Sequence, residues 1–192
     1  MSANFDFAHN FTASREGGIS DHPDDPGGVT AYGASCEFVA GLARNDSDFL
    51  RSIGVAPLPV CRATILAITP AQVRAMFARE FWLKPGLDDL ARPIAALIYD
   101  AAVNCGLSRG IKLAQQGANR ARAANLAVDG ILGPKSKQAL SSPDAPLIRA
   151  IAGCRRDFYR SLVRKKPSWQ VFLRGWLNRI DALEALVLPL AC

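Results

Sequence analysis

The sequence predicts a mainly α-helical chain with one small β or irregular element near residues 20–35. Three observations carry this expectation. Apolar residues recur at helical spacing over long stretches, as in Phe172, Trp176, Ile180, Leu183 and Val187. Capping residues and terminal glycines punctuate those stretches into segments of ordinary helix length. The run from Ser20 to Gly28 holds two prolines and two glycines in nine residues, which excludes a helix there.

Each element has its own local reason. Asn4 to Glu16 reads as a helix, with Phe7 and Phe11 at i, i+4, stopped by Gly17-Gly18. Val29 to Ser35 reads as a short strand or hairpin arm. Cys36–Ala43 and Ser47–Ile53 read as short helices, and Val55–Thr64 as a proline-containing connector. Thr69-Pro70-Ala71-Gln72 combines a cap, a first-turn proline and a capping-box glutamine, so a helix should run from there to about Trp82. Pro93–Cys105 is an apolar helix ending at Gly106, and Ser108 is the expected cap of the next, which reaches about Ala121. Asp129-Gly130 and Gly133-Pro134 mark a turn before a short helix over Lys135–Leu140. Ile148, Ile151, Ala152, Arg155, Phe158, Tyr159 and Leu162 keep helical spacing on the next segment. The lobe boundary is expected near Ala91–Pro93, giving lobes 1–92 and 93–192.

Composition narrows the function classes. The 192 residues suffice for a core without staples, and 49% hydrophobic with 21% charged residues is a globular balance. The net charge of +6 favours a polyanionic partner, such as nucleic acid, anionic lipid or an anionic envelope, without choosing among them. No apolar run approaches the ~20 residues that span a bilayer, so no membrane insertion is expected. Asp6, His9, Asn10 and Arg15 interrupt the N-terminus, so it reads as no secretory signal and the chain as made in the cytoplasm. Five dispersed cysteines without a CxxC pair, beside two histidines, point to buried or half-buried thiols rather than a zinc site or a disulfide framework.

The polar residues between 15 and 33 are the candidates for chemistry. Glu16 ends a helix, and Asp25 and Thr30 follow on the turn-rich segment, nine and fourteen residues later. On a continuous helix Glu16 would lie about 20° from the stripe of Phe5. A carboxyl in apolar surroundings at the negative end of a helix favours its neutral form, the form a general acid needs. Asp25, on an open turn, is expected to stay ionised. Two acids in opposed environments suit glycosidic cleavage. The plain alternative is a solvated glutamate followed by an ordinary turn.

The wider string resembles glycoside hydrolase family 108, the secretion-activator and phage-type N-acetylmuramidases. It comprises Glu16-Gly17-Gly18, His22-Pro23, Asp25-Pro26-Gly27-Gly28-Val29-Thr30 and Tyr32-Gly33. Phe81-Trp82, Asp100 to Gly106, Val128 to Pro134 and Phe172 to Arg179 continue the resemblance in order, over about residues 5 to 181. The resemblance implies a lysozyme-like helical fold, with a catalytic muramidase lobe over 1–92 and a helical peptidoglycan-binding-like lobe over 93–192. It implies Glu16 as catalytic acid and, by looser analogy with phage-type lysozymes, Asp25 and Thr30 as the groups that position water. Tyr32, Gly33, Asn104 and His22 become candidate glycan contacts. No metal or organic cofactor is implied. The substrate implied is the β-1,4 bond between N-acetylmuramic acid and N-acetylglucosamine, with action in the periplasm or cell wall after release through a holin-like pore or a dedicated exporter. Ala31 and Ala34-Ser35 depart from the family pattern at the cleft wall, and Cys105 stands where the family has serine.

Other residues carry two readings. His22 touches substrate or is a solvated loop histidine. Tyr32 stacks on a sugar or packs under its loop. Trp169 and Trp176, at i, i+7, have core spacing. Arg149, Arg156, Arg160 and Arg164 share one helical stripe, either a solvated face or an attachment to an anionic envelope polymer. Two further function classes follow: a module that binds peptidoglycan without cutting it, and a basic helical nucleic-acid binder. The second lacks a helix-turn-helix or aromatic RNA-reading motif, so no nucleic-acid partner is expected.

Overall fold

The structure, a computed structural model, describes residues 1–20, 29–56 and 59–191. It is mainly α-helical and lysozyme-like, as expected. In order, the chain forms α1 (Ala3–Arg15), β1 (Ile19–Ser20), β2 (Thr30–Ala31), β3 (Ala34–Ser35), α2 (Cys36–Asn45), α3 (Ser47–Ser52), α4 (Arg62–Leu66) and α5 (Pro70–Ala78). A single π-helical turn, Arg79–Leu83, leads toward α6 (Arg92–Cys105), α7 (Leu107–Arg122), α8 (Pro134–Ala139), α9 (Ala145–Lys165) and α10 (Gln170–Val187). No helix is long and apolar enough to cross a membrane among the described residues. Two compact units result: Thr12–Glu80, and Met1–Phe11 with Phe81–Cys192.

In the unit Thr12–Glu80, three two-residue strands form an antiparallel sheet in the order β1-β2-β3. Strands this short do not hold together unaided. Ala31 and Ala34 are fully buried, and β2 and β3 pack on α4 and α2. Ser35 ends β3 and at once caps α2, its Oγ accepting from Phe38 N at 3.2 Å. Val39, Leu50, Ile65 and Met76 fill the core, and the Phe38 and Phe77 rings meet edge to face at 5.5 Å. The Thr69–Gln72 capping box forms as expected, and Gln72 Nε2 also donates to the carbonyls of Ile53 and Gly54 at 3.1 Å.

Three local expectations need correction. The connector Val55–Thr64 gives way to helix α4. The Thr64 hydroxyl organises its start, accepting from Cys61 N at 3.3 Å and donating to Pro59 O at 2.9 Å. Cys61 is exposed there, against the expectation of sheltered thiols. Ser108 does not cap α7. Gly106 turns the chain with φ +89°, α7 starts at Leu107, and Ser108 sits inside its first turn.

In the other unit, α6 is the central element, with ten consecutive buried residues from Pro93 to Ala102. Phe5, Trp82 and Tyr99 pack edge to face with centroids 5.5–5.7 Å apart, and His9 Nδ1 lies 2.9 Å from Tyr99 Oη. Helix α7 packs between α6 and α9 through glycines. A Cβ on Gly117 would stand 2.8 Å from Ile151 Cα and 2.9 Å from its N, backbone atoms that cannot yield locally. Trp176 packs against the buried Ala152, Tyr159 and Ile180 at the edge of the core, whereas Trp169 departs from its expected core role. Both are half-buried, Trp169 lies in the short turn before α10, and Phe172 beside them is 54% exposed.

Overpacking of this kind costs about 1–3 kcal/mol, against a gain of up to about 1 kcal/mol in helix propensity. Gly117→Ala is therefore expected to lower the melting temperature by several degrees. Gly175→Ala on α10, where a methyl meets nothing within 4 Å, leaves it unchanged or raises it. Thermal melts followed by circular dichroism compare the two.

Candidate active site

Glu16 sits one residue beyond α1, its amide still donating to Thr12 O at 3.1 Å, so the last helical turn fixes its backbone. It is half-buried. Its side chain lies across Gly33. A Cβ on Gly33 would stand 3.0 Å from Glu16 Cγ, 3.2 Å from Cδ and 3.1 Å from Oε2. The glycine is needed twice, for this approach and for its φ of +86°.

Gly33 is the second residue of a two-residue hairpin connection between β2 and β3, and the first is Tyr32 with φ +51°. Positive φ at both central residues marks the turn whose twist matches a right-twisted hairpin. A tyrosine rarely takes that conformation. Tyr32 N donates to Gly18 O at 2.9 Å, tying the turn to the segment that follows Glu16. The hairpin thus sets the bare Gly33 against the Glu16 side chain, with the half-buried Tyr32 preceding it in the turn.

Thr30 stands on β2 directly between Ser20 and Ser35 in the register, and its side chain is half-buried. The structure therefore places Thr30, Tyr32 and Gly33 on one hairpin and sets Gly33 against Glu16. His22 and Asp25 lie outside the described residues.

Asn104 belongs to the other unit, exposed near the end of α6. A buried chain of groups stands behind it. Asp100, one turn earlier, takes Arg155 Nη1 at 2.6 Å and Arg179 Nη2 at 2.7 Å. Arg155 also lies 3.4 Å from Tyr159 Oη, which donates to Asn104 Oδ1. The Tyr159 ring stacks on Trp176 at 4.8 Å. Burial alone pushes the Asp100 carboxyl up, but the charges and hydrogen bonds of Arg155 and Arg179 together outweigh it and hold the group below the usual range. Cys105 turns its Sγ to Ala101 O at 2.9 Å, and burial pushes its thiol up.

This network was not read from the sequence. The signal was there: Asp100 and Asn104 are four residues apart, as are Arg155 and Tyr159, and an acid inside an apolar helix needs a cation. The basic stripe is also reassigned in part. Arg156 is no solvated group, for it pairs with Asp181 and Glu184 of α10. The described residues hold no group of three or more His, Cys, Asp or Glu side chains able to surround a metal ion.

Fold and placement define a class: a lysozyme-like helical protein presenting a glutamate at a helix end beside a β-hairpin. The chain belongs to the glycosyl hydrolase 108 family, whose pattern matches residues 9–106. Residues 109–181 match the family described as "Predicted Peptidoglycan domain". The solved structure of Brucella abortus SagA aligns with a TM-score of 0.73 at 22% identity, covering 96% of this chain and 94% of that one. At that identity the likeness is one of fold. No curated protein matches the sequence. The chain is thus a glycoside hydrolase that acts on peptidoglycan.

Two predictions follow from this geometry. Gly33→Ala sets an alanine at φ +86° and makes the Glu16 side chain give by a few tenths of an ångström, a strain that outweighs the roughly 0.4–1 kcal/mol gained from a stiffer unfolded chain, so thermal melts are expected to show a lower melting temperature than wild type. Asp100→Asn leaves two buried guanidiniums without their anion, at a cost of about 3–5 kcal/mol. Because the folded Asp100 is held below its unfolded value of about 3.9, its contribution is complete above that pH and is lost as pH falls through the lower folded value. Acid titration of stability should show wild type losing this contribution only below about pH 4, and Asp100→Asn lacking that part of the dependence.

Proposed function

We propose that the chain is an N-acetylmuramidase that cleaves the β-1,4 bond between N-acetylmuramic acid and N-acetylglucosamine. The observation that carries the reading is the seat of Glu16, a half-buried carboxylate held at the end of α1 against the bare backbone of Gly33. Glu16 protonates the glycosidic oxygen as the bond to the anomeric carbon breaks. Asp25, aided by Thr30, orients the water that adds to that carbon and takes up its proton, leaving a reducing N-acetylmuramic acid end. Tyr32, Gly33, Asn104 and His22 contact the glycan. Residues 1–92 serve as the catalytic lobe and 93–192 as the peptidoglycan-binding-like lobe. The enzyme acts in the periplasm or cell wall, after release through a holin-like pore or a dedicated exporter. A basic polymer-binding chain suits an anionic wall.

Digestion of purified peptidoglycan by wild type and Glu16→Gln, with fragments identified by mass spectrometry, tests this reading. Wild type should release fragments with reducing N-acetylmuramic acid ends. Glu16→Gln should release them about 10²–10⁴-fold more slowly, with an unchanged melting temperature. Reducing N-acetylglucosamine ends would keep a glycosidase but move the bond. A folded wild type that binds peptidoglycan and releases nothing would make the chain a binding module.

A further inference from the structure

Helices α7 and α9 run in opposite directions, since Gly117 meets Ile151 while Arg109 lies over the Phe158 ring at 4.8 Å. Between them is a groove of about 530 Å³, floored by the buried Leu113 and Cys154. Its walls carry three guanidiniums, Arg109, Arg120 and Arg164, against a single carboxylate, Asp157. Asp157 is already engaged, with Arg120 at 3.0 Å and Arg160 at 3.6 Å. Arg109 and Arg164 have no carboxylate partner among the described residues. The groove therefore holds positive charge in excess.

That charge is arranged rather than scattered. Arg109 and Arg120 are eleven residues apart on α7, about 16 Å along the axis and within about 20° of one stripe. Arg109 Cζ lies over the Phe158 ring at 4.8 Å, a cation–π contact that restrains its guanidinium at the groove wall. A planar guanidinium grips a carboxylate through two parallel hydrogen bonds. Both walls lie within the segment that matches the peptidoglycan domain. Peptidoglycan offers two chemistries: a sugar chain, and short peptides bearing carboxylates that hang from muramic acid. A cation-rich groove suits the second.

We propose that the groove between α7 and α9 binds the acidic stem peptides of peptidoglycan, with Arg109 and Arg164 taking their carboxylates. The proposal rests on the peptidoglycan reading and adds the part of the polymer that this helical segment grips. Its recognition is then of the peptide, apart from the sugar contacts proposed around Glu16.

Calorimetric titration tests it. The full-length Glu16→Gln chain is titrated with soluble glycan fragments that carry stems and with the same fragments after amidase removal of the stems. Wild type is titrated with a free synthetic stem peptide, which a glycosidase does not cut, and with a duplex DNA oligonucleotide. Stem-bearing fragments should bind at least tenfold more tightly than stripped ones. Arg109→Ala with Arg164→Ala should weaken stem-bearing fragments and free peptide at least tenfold while leaving stripped fragments unchanged. Arg109→Gln and Arg164→Gln singly replace the double variant if its melting curve shows it unfolded. Equal affinities in parent and variant, or an equal loss on stripped fragments, overturn the proposal. Loss confined to duplex DNA overturns it in favour of a phosphate site. Failure of Glu16 as the acid shows as unimpaired fragment release by Glu16→Gln and leaves the free-peptide affinities untouched, so the two readings fail separately.

Discussion

One buried charge organises the larger unit. Helix α6 is apolar and sheltered from Pro93 to Ala102, and Asp100 is the sole ionisable carboxylate in that run. A carboxylate there is tolerated only with opposite charge in contact. Its partners come from 55 and 79 residues further along the chain, Arg155 on α9 and Arg179 on α10. Both helices are therefore tied to α6 at one register, because a one-turn slip of either would leave a guanidinium and a carboxylate buried apart. Replacing the trio by apolar residues need not cost stability. What it supplies is a unique placement, and with it the orientation of Tyr159 toward Asn104.

The smaller unit solves a different problem with little material. A half-buried carboxylate has to be held still at the end of a helix, where backbone restraint fades. The two-residue strands beside it contribute few hydrogen bonds of their own. Their rigidity comes from buried alanines below and from Ser35, which passes the chain from strand to helix without a loop. The strain of Tyr32 is borne by these neighbours. Such strain, of order 1–3 kcal/mol, is retained where the surroundings over-determine a conformation. Here the result is a turn that brings Gly33 flat against Glu16.

What the sequence made legible divides along physical lines. The helices were readable because periodic apolar residues, the Thr69–Gln72 box and the Gly106 stop are local signals, each settled within a few residues. The β element near residues 30–35 was readable only as one strand or hairpin arm, and the turn at Tyr32-Gly33 within it was not. Glu16, Thr30, Tyr32 and Gly33 were readable as a string. The reason for Gly33 was not, since it lies in an approach from seventeen residues away. Helix α4 escaped notice because one threonine hydroxyl organises its five residues. Arg155 kept the helical spacing of its apolar neighbours, but its partner Asp100 lies 55 residues away and no local signal names it; Arg155 is 3% exposed and bound there. The half-buried Trp169 shows the converse error. Helical spacing identifies a face, and whether that face is covered depends on which helices arrive to cover it.

The same distinction applies to the positive charge. A net charge of +6 suggests a diffuse field over the surface. The structure instead spends several of the cations locally. Arg155 and Arg179 neutralise Asp100, Arg156 joins α9 to α10 through Asp181 and Glu184, and Arg122 ties the end of α7 to Ala139 O and Asp144. Each of these replaces long-range attraction with a specific internal contact. Arginines left over from that pairing matter in proportion to how closely they are grouped and how well they are held. Arg109 is held by an aromatic face and Arg164 faces the same groove, where the carboxylate of Asp157 is already shared by two other guanidiniums. Attraction confined to one groove selects a ligand by the spacing of its anions, whereas a uniform field would select only by their number.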